Sequence, residues 1–161
     1  MTLPAPEFDG CLRVRGFSDA ARYIAQTASE GRKRLQQSVS LGVDQTRVLD
    51  ELVAVWEECR EADWDGHGAL PVTQAAWQRA YCFLRAIPLG VQAPTVGAEP
   101  DGHITLEWYR SPRRTLSLSV SPEGDLHYAA LLGPNRAYGT EAFFGDVPST
   151  ILNLIRRAYS G

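Results

Sequence analysis

The sequence predicts an α+β fold: N-terminal helices packed on a four- or five-stranded antiparallel meander sheet, with a closing C-terminal helix. Three observations predict it. Between Asp44 and Ile87 apolar residues recur at three- and four-residue spacing, the helical period. From Thr95 to Leu132 they alternate with polar residues, and turns rich in Pro, Asp and Gly interrupt the alternation at short intervals. After Pro148 the helical period returns. A sheet of this kind buries one face under helices and shows the other to solvent.

The elements follow in order. Residues 1–17 are punctuated by Pro and Gly, with a short strand expected at Cys11–Val14. Ser18 has the character of an N-cap, with Phe17 placed for a hydrophobic staple, and Tyr23, Ile24 and Ala28 follow at helical spacing until Gly31. A second short helical piece is expected from Leu35 to Gly42. The strongest helix runs from a cap at Asp44 to Ala62, with Val48, Leu49, Leu52, Val53, Trp56 and Cys59 on one stripe. Thr73 caps the next, whose face carries Ala76, Trp77, Ala80, Tyr81, Leu84 and Ile87, and Pro88 ends it.

Strands are then expected at Thr95–Glu99, His103–Tyr109, Thr115–Ser121 and Asp125–Leu132, with a weaker one at Ala137–Phe144. Their alternation sends Ile104, Leu106, Trp108, Leu116, Leu118, Val120, Leu126, Tyr128 and Ala130 inward. Thr105, Glu107, Tyr109, Ser117, Ser119, Ser121 and His127 are sent outward. Pro148 suits the first turn of the last helix, which presents Ile151, Leu152, Ile155 and Ala158.

Composition narrows the function classes. The chain has 161 residues, 44% hydrophobic and 22% charged, which suits one domain with a real core. No apolar run approaches the roughly 18 residues that span a bilayer, and residues 1–7 lack the basic-then-apolar pattern of a signal peptide. The expectation is a cytoplasmic protein with no membrane partner. Three cysteines without a close pair argue against a disulfide framework and a metal knuckle, so Cys59 and Cys82 are expected as core thiols. The net charge of −3 gives no bulk attraction for nucleic acid. Charge is nonetheless segregated: seven basic residues face three acids between Arg13 and Arg47, and seven acids face one base between Asp50 and Asp65.

The densest motif is the loop Trp64-Asp65-Gly66-His67-Gly68-Ala69-Leu70-Pro71. An acid and an imidazole two residues apart can serve as acid and base. They can equally make a corner in which Asp65 binds backbone N–H groups, Trp64 plugs the core and His67 is solvated. A metal needs three or four ligands, and His103 and His127 show no ligand spacing to His67, so no metal or cofactor is expected. There is no G-x-S-x-G elbow, P-loop or complete dinucleotide fingerprint. Arg110, Arg113 and Arg114 on a hairpin tip can hold phosphates or stack on bases, which keeps nucleic acid as an alternative partner.

The loop Trp64–Val72 and the strand Asp101–Trp108 together resemble an uncharacterised family of small bacterial proteins with a W-D-G-x-G-A-x-P-V loop followed by a D-G-x-I-x-L-E-W strand. The resemblance covers roughly residues 45–157, leaving 1–43 as a variable, partly helical extension to a 44–161 domain. It implies no activity and no catalytic residue, only a place in an accessory or defence-type locus. The resulting expectation is a non-enzymatic protein-interaction module, such as an immunity, antitoxin or adaptor protein. Its expected binding residues are Glu57, Glu58, Glu61, Trp64, Asp65, His67, Glu107 and Tyr109. The alternatives are a nucleic-acid binder using the arginine hairpin and a small hydrolase-like enzyme built on Asp65, His67 and Glu107.

Overall fold

A computed structural model describes residues 43–160 together with residues 27, 28 and 30. The expected strand at Cys11–Val14, the cap at Ser18 and the helical piece from Leu35 lie outside the described residues. The described elements are α1 (Val43–Cys59), α2 (Gln74–Ala86), β1 (Thr95–Ala98), β2 (Ile104–Ser111), β3 (Arg114–Val120), β4 (Asp125–Leu132), β5 (Asn135–Ala142) and α3 (Ser149–Tyr159). The expected α+β fold is found, and the four- or five-stranded sheet has five strands. All five form one antiparallel sheet in the order β1-β2-β3-β4-β5.

The helices lie on one face of this sheet. α1 packs on β1 and α2, α2 on β2 and β3, and α3 across β2, β3 and β4. Between the layers sit Trp108, Phe83, Leu52, Leu106, Leu118, Leu126 and Ile151, all fully buried. Burying such side chains is worth ~1.5–3 kcal/mol each. The Trp108 indole N–H, which would be orphaned there, donates to Gln92 O at 2.7 Å.

Several expectations are corrected. α1 begins at Val43 and ends at Cys59, so Asp44 lies within the first turn rather than before it, and residues 60–62 are non-helical. Val53 is exposed, because it sits one helical step, about 100°, past the buried Leu52. On α3 the fully buried residues are Ile151, Leu154, Ile155 and Ala158, while Leu152 packs half-buried at the margin of that face. Pro148 stands just before α3 as its N-cap residue. Thr73 does cap α2, its hydroxyl accepting from Ala76 N at 3.2 Å. Ser121 is buried rather than on the solvent face, because its hydroxyl accepts from Asp125 N and closes the β3–β4 turn. Cys59 is a buried free thiol, as expected, but Cys82 is disulfide-bonded. An odd cysteine count leaves room for one bond beside one free thiol.

Candidate functional site

The Trp64–Pro71 loop spends its polar groups on itself. Asp65 Oδ1 accepts from the backbone N–H groups of His67 (2.8 Å) and Ala69 (3.1 Å). Asp63, at a left-handed φ of 62°, accepts from Gly68 N through Oδ1 at 2.7 Å. The Trp64 indole donates to Leu70 O, and the exposed His67 ring donates from Nδ1 to Asp65 O. The His67 amide, above all, and the Ala69 amide hold the Asp65 carboxyl below the usual aspartate range. A carboxylate committed to backbone donors is a corner, and it makes a poor proton acceptor.

This corner braces a second motif. Leu70 N donates to Pro100 O at 2.7 Å, and a Cβ on Gly102 (φ +88°) would lie 2.8 Å from Pro71 O. The loop and the Pro100-Asp101-Gly102 turn are therefore one packed unit. The turn is further closed by Gly102 N donating to Glu99 O and Glu99 N donating to His103 O.

On the braced turn, Glu99, Asp101 and His103 bring one ligand atom each to within 4.8 Å of one another. Around them, Thr105 Oγ1 donates to Glu99, and His103 Nδ1 lies 3.0 Å from Ser119 Oγ and 3.6 Å from Asp101 Oδ2. The His127 ring stacks on His103 with centroids 6.0 Å apart, and its Nδ1 lies 2.9 Å from Thr140 Oγ1. Two carboxylates and one imidazole are a donor set suited to a divalent cation such as zinc or manganese. Sequence spacing did not single this group out. The available signal was the alternation Glu99-x-Asp101-x-His103 across a turn, together with the register that puts His127 beside Ser119.

The sheet face opposite the helices is open among the described residues. One row across it reads Glu107, Ser117, Ala129, Tyr138, and the next reads Tyr109, Thr115, Leu131, Arg136. Small residues form the floor. Tyr138 (83% exposed), Tyr109 (57%) and Leu131 (40%) stand above it.

The expected binding residues fall into separate groups. Glu57 and Glu58 end α1 and Glu61 follows it, all three exposed. Trp64 and Asp65 are half-buried in the corner. Glu107 and Tyr109 belong to the open sheet face, with Tyr109 six residues, or about 20 Å, along β2 from the braced turn. Of the three arginines, Arg110 and Arg113 are exposed, whereas Arg114 donates to Arg157 O (2.9 Å) and Ser160 O (2.6 Å) at the end of α3. Arg114 therefore caps the negative end of a helix. No known protein family, curated protein or solved structure matches this chain.

Proposed function

We propose that this protein is a non-enzymatic interaction module that docks a folded partner protein on the open face of its sheet. One observation carries the proposal: Tyr109, Leu131 and Tyr138 stand exposed around a floor of Thr115, Ser117 and Ala129. Tyrosines on a rigid, flat support are the side chains that concentrate binding energy in protein interfaces. The self-satisfied corner supports the same reading, because Asp65 and His67 are bound to backbone atoms. The commitment of Arg114 to α3 disfavours nucleic acid as the partner. The role is that of an immunity, antitoxin or adaptor-like protein of a bacterial accessory or defence-type locus, a place suggested by the pairing of loop and strand motifs. It requires no cofactor. A cytoplasmic setting fits the free Cys59, while the disulfide at Cys82 favours an oxidising one.

The experiment is affinity capture from the native host with nuclease treatment, comparing the wild-type chain with Tyr109→Ser/Tyr138→Ser. A stoichiometric protein retained by the wild type and lost on the folded variant supports the proposal. Equal capture by both overturns it. A triple charge reversal at Glu57, Glu58 and Glu61 separates the acidic end of α1 from the sheet face, and binding should survive it.

A second reading is favoured by the Glu99, Asp101 and His103 donors, which would move a hydrolase-like centre from the corner to the turn that it braces. Metal analysis of the purified chain beside His103→Ala tests it: a stoichiometric divalent cation lost in the variant favours it, and metal-free protein in both removes it.

A further inference from the structure

The two edges of the sheet are treated differently. β1 is four residues long, lies against α1 and has the Val96 N–H covered by Glu51 Oε2 at 3.3 Å. β5 is eight residues long and pairs with β4 without a register shift. It contains no lysine and no proline. Its free side meets no other strand among the described residues. Natural edge strands are usually shortened, bulged, covered, or given lysine, proline or an inward-pointing charge to prevent pairing with another chain. Among the described residues only the β1 edge is covered in this way, and Glu141 is the one charge β5 turns toward the helix side of the sheet.

We propose that β5 pairs antiparallel with β5 of a second copy of this chain across a two-fold axis, joining the two sheets edge to edge. The register follows from the hydrogen bonds. Phe143 N donates to Gly124 O, so by alternation the odd positions of β5 bond to β4, and Arg136, Tyr138, Thr140 and Ala142 turn their N–H and C=O groups outward. Those four positions must pair with one another. Centring the axis on Gly139 sets Tyr138 against Thr140 of the partner subunit and Arg136 against Ala142 of the partner subunit. This uses every outward group of the strand.

Three features argue for a second copy as the occupant. Ala142 is small and its neighbour on β4 is the exposed Asp125. Arg136 therefore reaches over the partner's Ala142 toward the partner's Asp125, two strand spacings or about 10 Å away. The same register brings Phe144, 86% exposed, to the exposed turn residue Pro134 of the partner subunit. Glu141 faces the partner's Ala137, where there is room for it. By symmetry each match occurs twice. The junction uses the edge of the sheet and does not depend on the proposed use of its face.

Sedimentation equilibrium of the full chain from about 1 µM to 1 mM tests the proposal, because a strand junction alone is smaller than a standard interface. The expected result is a mass rising from one chain to two. Arg136→Glu should weaken dimerisation at least tenfold, and adding Asp125→Arg to it should restore the dimer. Tyr138→Pro, which removes an outward N–H and no bond to β4, should abolish it, whereas Tyr138→Ser should not. A wild-type chain that stays monomeric throughout overturns the proposal, as does a dimer unaffected by Arg136→Glu. The charge swap keeps the test decisive if the proline variant fails to fold.

Discussion

The phenol end of Tyr128 lies over Gly139, its direct cross-strand partner, so that a Cβ on Gly139 would stand 2.7 Å from the phenol oxygen and 2.9 Å from Cζ. The tyrosine covers backbone that a side chain would otherwise cover, the arrangement by which aromatic residues support glycines near sheet edges. Gly139→Ala should push the ring off β5 and destabilise the protein by ~1–2 kcal/mol, within the range for overpacking. Urea denaturation of Gly139→Ala, Tyr128→Ala and the double variant checks this. The two losses should be clearly non-additive, as expected for touching residues.

Gly102→Ala should do more damage. The position combines φ +88° with backbone oxygen 2.8 Å from the added carbon, and Pro71 O cannot swing aside as a side chain can. A loss of ~2–4 kcal/mol is expected from strain and overpacking together. Thermal unfolding should show a large drop in Tm, whereas Gly90→Ala, with open space around its Cβ, carries only the φ penalty.

Asp65 makes stability depend on acid. Its folded-state carboxyl is held low, first by the His67 amide, so it ionises more readily folded than unfolded. Its contribution is therefore complete above the ordinary aspartate value of 3.8 and is lost as pH falls through the lower folded-state value. Asp65→Asn should be less stable than wild type at neutral pH, and the gap should narrow in acid. Denaturation midpoints measured from pH 7 down to pH 2 follow this directly.

Arg114→Ala should loosen the end of α3 by ~1 kcal/mol, the usual scale for a lost helix cap. Amide exchange should quicken at residues 157–160 and stay unchanged in α2. Arg113→Ala, at an exposed turn position, should leave both stability and exchange as they were.

Burial, and then the neighbouring Glu58 carboxylate, push the Cys59 thiol up. The native protein should therefore resist iodoacetamide at pH 7.5 and become reactive only when unfolded. Mass spectrometry of labelled peptides with and without urea reads this out.

The sheet was the most legible part of the sequence, because a period of two fixes the face of every residue once one is placed. β4 has the expected bounds, Asp125–Leu132, with His127 outward and Leu126 inward. Helix stripes are legible to within one step of rotation: Val53 belongs to the sequence stripe of Leu52 but turns outward, and Leu154 joins the buried face of α3 beside the half-buried Leu152. Residues at turns obeyed hydrogen bonding before alternation, as Ser121 shows. The corner reading of Asp65 was available from local chemistry. The stacking of His127 on His103 was not, because it depends on β3 lying between β2 and β4, whereas Glu99, Asp101 and His103 are local to one turn. The burial of Gly102 against Pro71 likewise joins two motifs about thirty residues apart in the chain.

Because the strand order of the sheet is the order of the chain, every strand finds its neighbour in the next stretch synthesised, across turns of two to five residues. No crossover has to be threaded, and the entropy of closing each loop is small. Folding is thus expected to be quick for a β-rich protein, nucleating at the central β2–β3–β4 hairpins and ending when α3 settles over them.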